Sequence, residues 1–458
     1  EVSISEEQVD KRTNLERIEA RDIAFRPTLG NGVEAALRTL PGVSAFNELS
    51  SSYSVRGGNF DENLIYINDI EVYRPFLIRA GQQEGLSIIN PNMVESIEFS
   101  AGGFEARFGD KLSSVLNITY KEADSFAGSF SGSLLGANAH VEGASENKRF
   151  TYIVGARYQS NSYLLNSLPT QGDYSTRFAD FQTFLTYDIT DEWQLNFLNS
   201  SGFSRYSLVP ENRVTDFGTP NEVLRLRIFF DGSENMEYQT LVNAVSLIHR
   251  PDRYTESKFI VSAYTTFEFE HFDILGQYFL SEVDTDPGSE TFQEEIASLG
   301  VGTFLNHARN DLGANIFNVQ YKGKKEIGGS ILQWGAKIQN EIIRDELRQW
   351  RYLDSAGYSI PHSNEDTIIS LDEFVRNDIN LNSIRYTAYL QNSFTLDDSS
   401  NAYLTLGARA NYWEYNREFF ITPRFQLFFE PNLKHNKRQV LRYGDSAQLK
   451  SNIRFKFT

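Results

Sequence analysis

The chain has 458 residues, no cysteine and a formal net charge of −18 at neutral pH. The absence of cysteine excludes disulfides and thiolate metal sites. The acidic balance argues against a nucleic-acid partner, because a basic surface supplies most of the affinity for nucleic acid. Aromatic residues make up 14% of the chain, yet the mean hydropathy is −0.41 and no run of about eighteen apolar residues occurs, which excludes a helical membrane span. A transmembrane β-barrel fits these values because its strands alternate apolar and polar residues, although a large soluble β-protein would give a similar average.

The first part of the chain is charged and then becomes helical. We interpret residues 1–25 as an N-terminal extension. Glu1 to Asp10 is acidic and polar and does not resemble a signal peptide, so an exported protein would be a processed or truncated form. Between Arg26 and Leu40, apolar residues recur at helical spacing and predict a helix, which Pro41 ends.

Short strands alternate with glycine turns after Pro41. Gly57-Gly58 and Gly102-Gly103 are the clearest turns. Together with the helix, these strands predict a small α+β domain over residues 26–120. The predicted strands are Ser52 to Arg56, Leu64 to Ile70, Ser96 to Ser100 and Ser114 to Tyr120.

One insertion in this domain differs from a short turn. Residues 76–85 begin with apolar side chains and end with amides, which favours an apical loop that contacts a ligand or a partner. A loop that is merely packed is an equal alternative. The candidate contact residues are Arg74, Phe76, Arg79, Gln82 and Gln83.

Alternation with a period of two dominates residues 121–458. Phe181 to Ile189 and Trp193 to Phe197 predict a hairpin around a polar turn, and Ile384 to Leu406 predicts a second hairpin. The sequence therefore predicts an antiparallel β-barrel. Gly323-Lys324-Lys325 is interpreted as a hairpin turn. Four stretches are interpreted as long polar loops: Ser160 to Arg177, Leu208 to Glu222, Asp284 to Arg309 and Arg351 to Asn380.

Residues for catalysis or metal binding are not grouped in any familiar pattern. The six histidines are scattered, and neither a nucleophile elbow nor a phosphate-binding loop is present. Acidic pairs such as Asp61-Glu62 are more often solvated turns than calcium sites. We therefore predict no enzymatic activity, no catalytic residue, no metal site and no cofactor.

Five short sequence motifs of the N-terminal domain occur in an order that is typical of a known family. They are Leu40-Pro41-Gly42-Val43, Tyr53-Ser54-Val55-Arg56-Gly57-Gly58, Ile65-Tyr66-Ile67-Asn68-Asp69, Ile97-Glu98-Phe99-Ser100-Ala101-Gly102-Gly103 and Phe108-Gly109-Asp110. In order and spacing they resemble the plug domain of TonB-dependent outer-membrane receptors, and the composition resembles members from Bacteroidota. Asn68-Asp69-Ile70 departs from the Asp-Gly that is usual in this family.

The resemblance implies a barrel with a family norm of 22 strands around the plug, located in the bacterial outer membrane. It implies that Arg56, Gly57, Gly58 and Arg107 form plug–barrel contacts, with the arginines binding carboxylates of the wall. Only about a dozen strands can be placed in residues 121–458. Either the barrel is smaller than the norm or segments are missing from this chain, and we favour missing segments.

Two functions are compatible with the resemblance. The first is energy-coupled import of an unidentified ligand, with membrane lipid and TonB as partners. The second is a receptor-shaped scaffold subunit of a larger outer-membrane assembly or secretion complex, with a surface lipoprotein or other envelope proteins as partners. The plug makes a channel without energy coupling a weaker alternative. A TonB box is expected before the plug, where residues 1–5 match poorly, so it would lie upstream of Glu1 or be absent.

Overall fold

The computed structural model describes residues 15–19, 33–45, 52–73, 87–167, 172–220, 222–355, 358–362, 370–397, 402–429 and 455–457. The predicted apical-loop residues lie outside these ranges. No helix in the described ranges is long and apolar enough to cross a membrane. Two structural units are present, an N-terminal domain and a large antiparallel sheet that we call the wall.

The N-terminal domain is built on a five-stranded mixed sheet. Its strands follow the order β1-β6-β7-β4-β5, with β4 and β7 parallel, and β2 and β3 form a separate hairpin. The domain also holds helix α1 (Val33–Leu37) and two 3-10 turns, Phe60–Glu62 and Pro91–Met93. The strands are β1 Glu16–Glu19, β2 Val43–Ser44, β3 Ser54–Val55, β4 Asn63–Ile67, β5 Ile70–Glu71, β6 Val94–Ser100 and β7 Ser114–Tyr120.

Sequence pattern and structure agree on most of these elements. The helix predicted between Arg26 and Leu40 is observed at α1, and the strand predicted over Ser114 to Tyr120 has those bounds as β7. Every residue of β4 is buried, because this strand lies inside the sheet between β7 and β5. Strand β1 lies in the segment interpreted as an extension and pairs with β6, so the sheet includes residues 16–19.

The wall contains fifteen strands in the part of the chain that the structure describes. Thirteen lie on one antiparallel path from β8 to β22, while β13 pairs with β14 and β18 pairs with β17. Helix α2 (Ser162–Leu165) precedes β11. The strands are β8 Ala127–Ser133, β9 Gly136–Ala144, β10 Phe150–Gln159, β11 Gly172–Asp188, β12 Trp193–Pro210, β13 Arg213–Thr219, β14 Glu222–Asp252, β15 Thr255–Val283, β16 Glu295–Ile327, β17 Ser330–Ser355, β18 Tyr358–Ile360, β19 Glu373–Asp397, β20 Ala402–Trp413, β21 Glu418–Phe429 and β22 Phe455–Phe457.

The wall curves around the N-terminal domain. Ser129 of β8 contacts Asn92, and Arg424 of β21 contacts the carbonyl oxygen of Phe104. These two wall strands stand near opposite ends of the strand path, yet both reach the same small domain. Strands between them contribute further contacts, so the domain lies inside the curved sheet.

The wall strands are much longer than the sequence predicted. Strands β14, β15 and β16 have 31, 29 and 33 residues, whereas about 9 to 11 residues suffice to cross a bilayer. The prediction of four long polar loops was therefore wrong over much of its extent, because paired strands continue through those stretches. Beyond the membrane, neither face of a strand has to be apolar. The alternation of apolar and polar residues, on which the prediction depended, is therefore lost in these parts of the strands. Gly323-Lys324-Lys325 also lies within β16, and the turn is at Gly328-Gly329.

Alternate wall residues face the N-terminal domain or point away from it. On β15, Lys258 and Ser262 point inward, whereas Phe259, Val261 and Phe267 point outward and are exposed. An outward apolar band opposite a polar inner face is the arrangement of a sheet in contact with lipid.

This alternation makes the effect of a charge depend on its height along one strand. Val261→Arg places a guanidinium in the outward apolar band and should reduce the free energy of unfolding in lipid vesicles by about 2–4 kcal/mol. Gln277→Arg is the matched control, since it lies on the same face of β15 beyond the band. Urea titration in vesicles measures both variants, and equal effects of the two would contradict the assignment of the band.

Candidate functional site

Several ion pairs join the N-terminal domain to the wall at their boundary. Lys258 of β15 and Lys322 of β16 are directly opposite each other, and both point inward. Asp69, at the turn between β4 and β5, accepts a hydrogen bond from each ammonium group at 3.0 Å. Two like charges at paired positions would repel each other, so one carboxylate stabilises both.

The backbone holds Asp69 at the tip of its turn. Asn68 and Asp69 have φ values of 50° and 71°, a conformation that Asn and Asp tolerate better than most residues. The backbone N–H of Asn68 donates to Ile118, and its side chain accepts from the N–H of Tyr120. Burial alone would raise the pKa of Asp69, but Lys258 outweighs burial, together with Lys322, and the pKa falls well below the usual range.

A second contact lies two residues further along the same hairpin. Glu71 accepts a hydrogen bond from Lys337 of β17 at 2.9 Å, and the two side chains are only 11% and 12% exposed. The hydroxyl of Tyr73 lies 2.9 Å from Oε1 of Gln339 and 3.1 Å from Oδ1 of Asn318. The β4–β5 hairpin and the residues after it are therefore held by three adjacent wall strands.

The segment before β7 contacts β19 and β20. Arg409 of β20 forms an ion pair with Asp110 at 2.7 Å, and Gln391 of β19 donates to Glu105 at 2.9 Å. Gly109 is packed so closely against Arg409 that a Cβ would overlap the guanidinium. Burial opposes the charge of Asp110, but Arg409 outweighs it and holds the pKa below the usual value.

Strands β10 and β11 hold the segment that follows residues 74–86. Arg157 of β10 donates to the carbonyl oxygens of Ser87 and Ile89 at 2.6 and 2.8 Å and pairs with Asp180 of β11. The Ser87 hydroxyl in turn donates to Glu34 of α1. Burial raises the pKa of that carboxyl.

One part of the boundary is open. A cavity of about 260 Å³ separates β6 and β7 from β11, β12, β14 and β15. Its lining is mainly polar and includes Asn117, Thr119, Asn196 and Ser246, with Lys258 at its edge. Apolar side chains also cross the boundary, because Phe184 of β11 and Ile260 and Tyr264 of β15 belong to the same buried cluster as the core of the N-terminal domain.

Of the four residues predicted to form plug–barrel contacts, some lie within the N-terminal domain and one lies beside the wall. Arg56 is exposed, has a φ of 51°, and donates its backbone N–H to Gly42 within the N-terminal domain. Gly57 and Gly58 continue that turn, and a Cβ on Gly58 would overlap Ser113. Arg107 lies beside the wall: its backbone N–H donates to Gln391, while its side chain binds Glu105.

Sequence reasoning missed the acids of the domain and the cations of the wall. The resemblance implied arginines of the domain on carboxylates of the wall, whereas the pairs described above have the opposite polarity. One feature of the sequence could have indicated this contact: Asn68-Asp69 stands where the family usually has Asp-Gly. The other feature is that Lys258 and Lys322 each stand next to an apolar or aromatic residue that points outward, so that the lysines themselves point inward.

Comparison with known proteins identifies the N-terminal domain. Residues 8–115 match the family model described as the TonB-dependent receptor plug domain. The N-terminal domain is a plug. The comparison with curated protein sequences finds no match.

Two solved structures resemble the whole arrangement of plug and wall. The outer membrane transporter YddB from Escherichia coli has 12% identity and a TM-score of 0.53, with 91% of this chain and 59% of that chain covered. The ferric citrate transporter FecA in its unliganded form has 13% identity and a TM-score of 0.52, with 92% and 61% covered. At these identities the likeness shows the fold, an antiparallel β-barrel with a plug inside, and the chain spans about three-fifths of the length of each structure.

Loss of the Asp69 carboxylate should loosen the plug. Asp69→Asn removes the carboxylate that Lys258 and Lys322 share and leaves Lys258 with its 3.4 Å contact to Glu256. Hydrogen bonds to charged groups contribute about 1.5–3 kcal/mol. We expect amide exchange in β4 and β5 to become about tenfold to a hundredfold faster, as measured by mass spectrometry. Asp61→Asn, an exposed carboxylate of the plug, is the control and should change nothing. Adding Lys258→Met to Asp69→Asn should restore part of the protection, and a failure of this restoration would contradict the repulsion.

The same contact predicts the pH dependence of plug protection. A carboxyl whose pKa is lower in the folded protein stabilises the fold above its unfolded value of about 3.9, and this contribution is lost as the pH falls through the folded value. Lowering the pH from about 7 to about 5 should therefore leave the Asp69 contribution intact. The difference in β4–β5 exchange between wild type and Asp69→Asn should be unchanged over this interval, and its collapse near pH 5 would contradict the lowered pKa.

Proposed function

We propose that the protein is a TonB-dependent outer-membrane receptor that imports a ligand through a plugged β-barrel with energy from the inner membrane. The observation that carries the proposal is the plug inside the wall, held by ion pairs, hydrogen bonds and a shared apolar cluster, with a cavity beside them. The polar contacts can be broken one at a time, whereas withdrawal of the plug would also expose apolar side chains of the wall such as Phe184 and Ile260. The ligand is unidentified, and the Bacteroidota origin stays a prediction from composition.

The topology of the plug predicts the order in which its strands would detach. Strand β1 is an edge strand that pairs over four residues, with β6 alone. A force applied from the N-terminal side would reach β1 first, because it is the first strand of the plug sheet along the chain. Short edge pairings open at low free energy. The β4–β5 hairpin, bound through Asp69 and Glu71, would detach later.

The plug contacts can be tested without knowing the ligand. The variant Asp69→Asn/Glu71→Gln/Asp110→Asn removes three carboxylates that bind wall cations. In planar bilayers the wild type should stay closed, and this variant should show large conductance steps because the plug no longer seals the lumen.

The matched control for that measurement removes three carboxylates that are exposed. Asp61→Asn/Glu146→Gln/Asp191→Asn lowers the negative charge by the same amount and should stay closed. A triple variant at the plug contacts that is as closed as the control would contradict the gating role of these contacts.

Energy coupling has its own measurement. The full chain, purified from native membranes, should retain the periplasmic domain of TonB in a pull-down. Stable co-purification with other envelope proteins and no binding to TonB would instead support the scaffold function that the sequence leaves open.

A further inference from the structure

A row of basic side chains crosses four neighbouring wall strands. Arg309 of β16 is directly paired with Arg348 of β17, and Arg348 is directly paired with Arg376 of β19. On the other side, Arg309 is paired with His271 of β15. We call these four residues the arginine row.

The arginine row points away from the plug. Arg309 shares its face of β16 with the exposed Phe317 and Val319, because all three positions are odd and the register has no irregularity between them. The opposite face of β16 carries Lys322, which reaches Asp69 in the plug. The same parity holds on β17, where Arg348 lies on the face of the exposed Ile342.

Aromatic residues place the arginine row at the edge of the lipid. One step toward the short turns, Phe269 occupies the paired row and is the last of the exposed large apolar side chains along β15. One step in the other direction, Trp350 stacks on His307 with ring centroids 4.8 Å apart, and the neighbouring Phe374 is 64% exposed. Aromatic rings concentrate at the level of lipid headgroups, so the row between them lies at that level.

The charges of the row are incompletely neutralised. Arg309 binds Asp273 and the carbonyl oxygen of Phe272, and Arg348 binds Glu346. Within the part of the chain that the structure describes, no hydrogen bond or ion pair engages the side chain of Arg376. Like charges at directly paired positions destabilise a sheet, so this row favours an external anion.

Carboxylates also lie near the arginine row. Asp311, Glu346 and Asp378 occupy the paired row on the side of the apolar band. Asp311 accepts from His271 at 2.7 Å, and Asp378 accepts from Asn380 at 3.1 Å. Asp311 and Glu346 thus pair with His271 and Arg348 of the row itself, so Arg376 is the guanidinium group most available to a ligand, and a phosphate group would share Arg309 and Arg348 with their carboxylates.

We propose that the arginine row binds phosphate groups of the lipid headgroups in the leaflet at the long-strand end of the barrel. The planar guanidinium fork fits two phosphate oxygens, and adjacent arginines on paired strands can hold one phosphorylated headgroup or two neighbouring ones. This proposal depends on the barrel lying in a membrane and does not depend on import of a ligand.

The test uses the detergent-solubilised full chain and native mass spectrometry. The probes are lipid A with both phosphates and dephosphorylated lipid A, which separate phosphate recognition from binding of acyl chains. Wild type should prefer the phosphorylated form. Arg348→Gln/Arg376→Gln should bind it about thirtyfold more weakly, since each basic residue near a lipid surface contributes about fivefold. Arg309 is left unchanged because it also binds backbone carbonyl oxygens.

Two further variants keep the test decisive. Arg417→Gln removes an exposed arginine in the turn between β20 and β21, away from the row, and should bind as wild type does. Arg348→Lys/Arg376→Lys keeps the charge and should retain most of the affinity even if the glutamine variant assembles poorly. Equal affinity of wild type and the glutamine variant for phosphorylated lipid A would overturn the proposal. Loss of a co-purifying envelope protein with unchanged lipid binding would overturn it as well, and would assign the row to a protein partner.

Discussion

The inward lysines of the wall require a counter-charge, and the plug supplies it. Lys258 and Lys322 stand at directly paired positions on an inner face, where two like charges repel each other and water is partly displaced. Asp69 stabilises both from a turn whose backbone is held by β7. A plug that moved away would leave Lys322 without this carboxylate and Lys258 with Glu256 of its own strand, so the wall itself favours the docked position. Because each side chain is partly exposed, water can replace these bonds, and the cost of breaking this contact is moderate.

The alternation of the wall makes this arrangement possible beside lipid. A strand position that points inward can carry lysine, glutamine or serine, while its neighbour points outward and carries phenylalanine or valine. A shift of register by one residue would place Lys258 in the apolar band and Phe259 against the plug. Such a shift would lose the ion pairs and the lipid contact together, so both requirements select the same register. The glycines at the boundary add a steric requirement, because Gly109 and Gly155 lie where a Cβ would overlap Arg409 and Asn90.

The sequence was sufficient to predict local elements and insufficient to predict what they face. Helix α1, strand β7 and the hairpin around Thr190 follow from spacing and turn residues that lie within a few positions of each other. The contacts of Asp69 join positions about 190 and 250 residues apart and depend on the register of strands that no local pattern determines. The extended strand ends were also hidden, because polar residues on both faces resemble a loop once lipid no longer requires alternation. The arginine row is invisible in the sequence, because its members are neighbours only across paired strands.

The contacts of the plug also connect the two ends of residues 74–86 to the wall. Before that segment, Tyr73 is bound to β16 and β17 and lies two residues from Glu71, whose partner is Lys337. After it, Ser87 is bound by Arg157 of β10 and donates to Glu34 in α1. A displacement of one flank would therefore strain the Glu71 ion pair, and a displacement of the other would strain the first helix of the plug. Coupling between distant sites requires contiguous groups with alternative arrangements, and this chain of bonds provides the contiguous groups. The two flanks are held by wall strands on different sides of the plug, so a ligand that moved only one of them would break only one set of contacts. Under the proposed import function, a force from the N-terminal side would act first on β1, which pairs with β6 alone among the described strands.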